Sequence, residues 1–127
     1  MKAGGFAKAW GGIAGAQSTL SVLLHEGAAR GLPLAALAEL VTGAPARRFS
    51  LSKGRLEPGA DADLALVDLR DESTLVADDL LYRHRHSAFV GTQLRGRVVQ
   101  TLLRGQVVIE DGAVVPGPRR GQLVRRR

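Results

Sequence analysis

Apolar residues recur at three- and four-residue intervals only in the first part of the chain. Leu20, Leu23, Leu24 and Ala28 define one face of a helix that begins near Gln17 or Ser18. Ser18 is read as its N-cap, its hydroxyl taking up a backbone N–H of the first turn. Gly31 ends the helix, and Arg30 stands in its last turn, where a cation meets the negative end of the dipole. Pro33 opens a second helix from the one position where proline is tolerated, with Leu34, Leu37, Ala38 and Val41 along one side and Gly43 at its end. Pro45 starts a short third helix through Phe49. Ahead of these, the GGIAG run from Gly11 to Gly15 is a loop in which glycine permits positive backbone dihedrals or the close approach of another group.

From Ser50 the texture changes. KGRLEPGADADLALVDL is a turn-rich stretch leading into a buried strand from Leu64 to Val67, with Asp68 marking its polar end. Two β-rich runs follow, Arg97–Arg104 and Gln106–Ile109, with turns at Arg104–Gly105 and Asp111–Gly112. The similar phrases RGRVV and RGQVV are too short and too close for a repeat, and read as adjacent strands that start alike. The organisation expected is α+β: a loop and helices over 1–50, a small β unit over 51–117, and a basic tail over 118–127. Neither folded part is self-sufficient on this count, because small chains bury too little surface to hold a wide margin of stability.

Composition narrows the classes. The chain has 127 residues, 45% of them hydrophobic, and five aromatics, Phe6, Trp10, Phe49, Tyr82 and Phe89, so its core must be built from Leu, Val and Ala. It has no cysteine, which rules out disulfides and thiolate metal sites. No run of eighteen apolar residues spans a membrane, and MKAGGFAKAWGG lacks the apolar core of a secretory signal, so a cytoplasmic location is expected. The net charge of +6 invites a nucleic-acid reading, but Arg119, Arg120, Arg125, Arg126 and Arg127 supply most of it. Residues 1–118 carry 13 basic and 12 acidic side chains. A dedicated nucleic-acid binder presents its basic stripe on a folded face, so nucleic acid is not the expected partner.

Candidate chemistry is thin. His84–Arg85–His86 is the single His-x-His, and on a strand it would point both imidazoles to one side, as metal ligation needs. His25 is the one further histidine, some sixty residues away. Asp61 and Asp63 are explained by a turn and a strand entrance. His25 and Glu26 are consecutive helix residues whose side chains diverge. Ser18, Ser21 and Ser87 carry no nucleophile signature and are read as a cap, a surface hydroxyl and a loop residue. No catalytic residue and no metal ligand is assigned.

Taken in order, FAKAWGGIAGAQSTLSVLLHEGAARG, LAALAELVTGAPARRFSL, KGRLEPGADADLALVDL and LLYRHRHSAFVGTQLRGRVVQTLLRGQVVIEDG resemble the C-terminal part of bacterial allantoinases, over residues 5–124. GRLEPGADADLALVD alone resembles the wider amidohydrolase superfamily; KAWGGIAGAQS and HRHSAFVG narrow it to the allantoinases, with dihydroorotases and hydantoinases next. The resemblance implies the terminal helices of an amidohydrolase barrel followed by part of a small β-sandwich domain, without the complete barrel, which needs roughly 250 residues. It also implies a parent enzyme that opens the cyclic amide of allantoin to allantoate in purine catabolism, using two divalent metals, commonly zinc. The ligands of those metals lie upstream of the residue equivalent to Phe6, so no cofactor is expected in this chain. Gly11 and Gly12 then correspond to the loop over the substrate pocket, where hydantoinases carry an asparagine at the Gly11 position. Family strands from an N-terminal region complete the small β domain, so an open sheet edge is expected here. The expectation that follows is a truncated, allantoinase-related chain without independent catalysis. A noncatalytic partner or oligomerisation subunit of a larger amidohydrolase is the alternative, and a basic polyanion-binding module the least favoured.

Overall fold

The structure, a computed structural model, describes residues 12–118 and 121–124. Three helices come first: α1 over Thr19–Ala29, α2 over Leu34–Val41 and α3 over Gly43–Arg48. Four strands follow among the described residues: β1 over Leu64–Thr74, β2 over Gln93–Leu103, β3 over Gln106–Glu110 and β4 over Ala113–Val114, with a 3-10 turn at Ala77–Asp79 before β2. They form one antiparallel sheet in the order β1-β2-β3-β4. The sheet does not close on itself, and β1 and β4 are its edges.

The boundaries at Gly31 and Pro33 follow the local signals, whereas α2 ends at Val41 and the expected stop at Gly43 and start at Pro45 fall inside α3, because Gly43 does not take the left-handed φ of a helix-ending glycine. Gly31 has a positive φ of 67° just past α1, and its N–H donates to Ala28 O at 3.0 Å. Pro33 stands at the N-cap of α2. Ser18 does occupy the N-cap of α1 but makes no side-chain cap bond, because its backbone is already helical (φ −90°, ψ −4°) and the hydroxyl is not directed along the helix entrance. Its Oγ is buried without a protein partner.

α1 lies across β2, and the approach is close because two glycines stand at the crossings. A Cβ on Gly96, in β2, would come within 2.9 Å of Leu24 Cδ1, and one on Gly27 within 2.4 Å of Leu37 Cδ1 in α2. Ser21, read from sequence as a surface hydroxyl, donates to Gly96 O at 2.8 Å and fixes the same crossing. Leu24, Leu37, Ala46, Leu80 and Leu94 are the buried apolar residues among those described. Among the described residues that is a thin core, and large apolar side chains remain exposed on α2, β1 and β4 and in the loops, including Leu34, Leu40, Phe49, Leu66 and Val114.

The hairpin turns are where the sequence places them. Arg104 and Gly105 have φ of 48° and 77°, and Asp111 and Gly112 have φ of 47° and 81°. Two successive left-handed residues match the right-handed twist of the flanking strands. The strands themselves are longer than the apolar runs suggest. β1 continues past Asp68 to Thr74, and β2 begins at Gln93, because the polar halves pair with each other: Glu72 with Arg95, Ser73 with Leu94, Thr74 with Gln93. The register slips between Asp68 and Glu72, and there Arg97 Nε reaches Asp71 Oδ2 at 2.5 Å while Arg95 Nε donates to Leu69 O at 2.8 Å.

The crossing at Gly96 generates a prediction. Gly96 has a φ of 88° in addition to the contact with Leu24, so Gly96→Ala should destabilise the fold by about 1–3 kcal/mol. Gly117→Ala, with open space around it, should change stability by less than about 0.5 kcal/mol. Urea unfolding followed by circular dichroism measures both; equal effects would contradict the close-packed crossing.

Candidate functional site

The sequence nominates the glycine loop ahead of α1 as the place nearest to chemistry. Gly11, with Phe6 and Trp10, lies outside the described residues. Gly12 is exposed, has a φ of 83°, and a Cβ built on it would meet nothing within 4 Å. The loop that follows it is tied to the distant segment 79–89. Ser87 Oγ donates to Ala14 O at 2.6 Å, and the Gln17 N–H donates to Tyr82 Oη at 2.7 Å. The Gln17 carboxamide uses both ends: Nε2 donates to Asp79 O at 2.8 Å, and Oε1 accepts from Leu81 N at 2.9 Å. The Phe89 ring covers Gly15, where an added Cβ would meet Cε2 at 2.9 Å.

Beside this loop runs an apolar groove of about 580 Å³ between α1, the end of α2 and Phe89. Ile13, Val22, Leu23, Leu40 and Val41 line it, and Glu26 is on its rim. α1 is therefore apolar on two sides: Leu24 and Gly27 face inward, and Val22 and Leu23 face the groove. Glu26 does not act with His25. It pairs with Arg30 one turn on, which holds its carboxyl below the usual range, and Arg30 Nη1 also donates to Glu26 O at 3.0 Å.

His84 and His86 are exposed, and they sit in a bend rather than on a strand, with His86 N donating to His84 O at 2.7 Å. The alternation that would align two imidazoles is therefore lost, because the segment is anchored by Gln17 and Ser87 on either side of it instead of by a sheet neighbour. Among the described residues no group of three or more His, Asp or Glu could hold a metal ion. The carboxylates that do cluster are matched by cations: Asp71 by Arg97, Asp61 and Asp63 by Lys53. These residues do not fit the pair of divalent metals that the sequence resemblance implies. Among the described residues no helix is long and apolar enough to cross a membrane.

Lys53 was not singled out from sequence, although it stands 8 and 10 residues ahead of the two aspartates it joins. Its Nζ donates to Asp61 Oδ2 at 2.8 Å and to Asp63 Oδ2. Asp63 Oδ1 accepts the N–H of Arg104 at 2.8 Å, and Gly105 N donates to Ala62 O at 2.9 Å, so this ion pair secures the β2–β3 turn. The Asp61 carboxylate, then that of Asp63, raises Lys53 above its ordinary value, and Lys53, then the Arg104 N–H, lowers Asp63. The role is structural. Gln17 and Tyr82 also carried no sequence signal, since a glutamine at a helix start and a lone tyrosine in a polar stretch have many uses.

The comparisons with known proteins agree with this arrangement. A model of the amidohydrolase family matches residues 15–109. The allantoinase of Rubrobacter xylanophilus is 55% identical over 128 residues, covering 98% of this chain and 28% of the relative, and that of Deinococcus radiodurans is 50% identical over 124 residues, covering 96% and 27%. Among solved structures, the L-hydantoinase (dihydropyrimidinase) from Arthrobacter aurescens superposes with a TM-score of 0.85 at 35% identity, over 94% of this chain and 27% of that one. The D-hydantoinase from a Thermus species gives 0.88 at 27% identity, over 95% and 27%. The chain thus spans a little over a quarter of the length of the relatives it matches. The helices and the open sheet correspond to part of an amidohydrolase fold rather than to a complete barrel.

The Lys53 pair yields a pH prediction. Asp63 is lowered on folding, so its contribution is complete above the unfolded carboxylate value of about 4 and is lost as pH falls through the folded value. Lys53 is raised, so its contribution holds below about pH 10 and is lost as pH rises through the folded value. Lys53→Met should destabilise by about 1 kcal/mol at neutral pH, with the difference from the parent shrinking as the pH falls below about 4 and through the lowered folded value of Asp63. Chemical denaturation at several pH values checks this; a difference that persists unchanged in acid would contradict it.

Proposed function

The chain belongs to the amidohydrolase family, and from that premise we propose that it is the metal-free closing part of an allantoinase. Its helices pack on a catalytic unit that carries the two metals, and its glycine loop forms one wall of the pocket for the cyclic amide. The observation that carries this reading is the apolar groove beside α1, together with the exposed Leu40, Val41 and Ile13 on its walls. Soluble monomers rarely leave such surface uncovered, and the allantoinases to which the chain is similar are more than three times its length.

In this reading residues 1–50 belong with the barrel, 51–117 with the small β domain, and 118–127 are a basic tail. The chain's own contribution to the reaction is binding. By the family resemblance Gly11 and Gly12 fall in the loop over the pocket for the cyclic amide, where glycine puts no side chain in the ligand's way. The open space around the α-carbon of Gly12 supports this. The metals would supply the activated water for ring opening, and among the described residues no group of three or more His, Asp or Glu could hold one.

A second reading makes the chain a separate subunit that oligomerises or completes a larger amidohydrolase. The edge strand β1 favours it, since an eleven-residue unpaired edge is a template for another strand.

Allantoin hydrolysis should be absent from the purified chain in the presence of Zn²⁺ or Mn²⁺, and turnover that follows the chain through purification would overturn the metal-free reading. In size-exclusion chromatography with light scattering, the chain should self-associate or co-elute with a larger amidohydrolase. A monodisperse monomer would count against both readings.

A further inference from the structure

Four hydrogen bonds and one ring contact join the loop at residues 14–17 to segment 79–89, across 62 to 74 positions of sequence. Their distribution is unusual for a purely stabilising contact. Three of the four involve Gln17 and lie where water has access, and such bonds contribute little net free energy because water replaces either partner. Their effect is instead directional. Gln17 occupies a backbone carbonyl and a backbone N–H two residues apart with one planar carboxamide, so its position relative to Asp79 and Leu81 is defined both in distance and in plane. Tyr82 Oη takes the main-chain N–H of the same residue. Ser87 Oγ holds Ala14 O two residues downstream of Gly12 and also accepts Phe89 N–H at 3.3 Å, which sets the ring over Gly15. Glycine at 12 and 15 leaves the backbone without intrinsic rigidity, and the contacts with segment 79–89 fix the path of residues 14–17 from outside.

We propose that segment 79–89 is the positioning frame of the glycine loop, and that Gln17, Tyr82 and Ser87 are positioning residues for a cyclic amide bound at Gly12. This rests on the reading of the loop as a pocket wall. It assigns a use to the YRHRHS stretch other than metal ligation: the stretch spans the interval between two anchors. A loop displaced by about 1 Å loses the alignment on which binding and reaction depend, and none of the three side chains needs to touch the ligand for that to follow.

Two measurements test the proposal. In the full 127-residue chain, hydrogen exchange should accelerate roughly fivefold or more over residues 12–18 in Gln17→Glu and Ser87→Ala, about the equilibrium worth of one ordinary hydrogen bond. Protection along α1 and the unfolding midpoint should stay near the parent's. Gln17→Glu keeps the acceptor for Leu81 N and removes the donor to Asp79 O, so it alters the latch without removing bulk. Unchanged exchange over 12–18, or acceleration that extends equally through α1, would overturn the positioning role.

The second measurement replaces the corresponding stretch of an allantoinase relative with this chain and follows allantoin hydrolysis. Gln17→Glu and Tyr82→Phe should lower kcat/KM about tenfold or more, chiefly through KM, with metal content unaltered. An active parent chimera whose variants keep full kcat/KM would overturn the inference while leaving the proposed function standing. An inactive parent chimera with normal metal content would overturn the proposed function itself.

Discussion

The helical part and the sheet meet at Leu24. Its side chain sits against the α-carbon of Gly96 in β2, and one turn on, Gly27 admits Leu37 from α2. A single leucine thus touches the sheet while its neighbour on the same helix face receives the next helix. Close packing of this kind is felt over short distances, because a methyl group at either glycine has nowhere to go without moving a buried leucine. Ser21 adds a directional tie to the same place through Gly96 O. The packing of α1 and α2 against each other and the sheet depends on this crossing being tight.

With so few residues buried, polar ties take over work that a larger core would do by volume. Lys53 joins two aspartates ahead of β1, and one of those aspartates holds the β2–β3 turn through Arg104 N–H. Arg97 bridges Asp71 in β1 and Asp111 in the β3–β4 turn. Individually, partly exposed pairs of this kind contribute little. They nevertheless select one register from several, which an apolar pattern as short as Leu64–Val67 does not. The apolar surface left over includes the groove beside α1, and in the proposed reading it is this face, rather than any cluster of reactive side chains, that meets the rest of a larger amidohydrolase.

A comparison of residues shows where sequence reasoning reached. The two longer helices, the boundaries at Gly31 and Pro33, and both left-handed turns were legible, because each depends on φ preferences carried by single residues. The family was legible from KAWGGIAG and GRLEPGADADLALVD. The polar halves of β1 and β2 were not, since LRDEST has no period-two apolar signal and is a strand only because QLRGR lies beside it. Ser18 was read as a cap from its type, yet the backbone there had already turned helical and left its hydroxyl without a protein partner.

What the amino-acid sequence determined by itself is therefore local or ancestral: where helices stop, where strands turn back, and which enzymes the chain is related to. Tertiary structure alone decided which distant groups meet. Gln17 and Ser87 become anchors because segment 79–89 is folded back over the glycine loop. His84 and His86 fall in a bend because that segment is held at its ends and not along a sheet. The reason is physical. A backbone preference is a property of one residue and its neighbours, whereas a hydrogen bond across sixty or seventy positions exists only after other contacts have met the entropy cost of closing the loop between its partners.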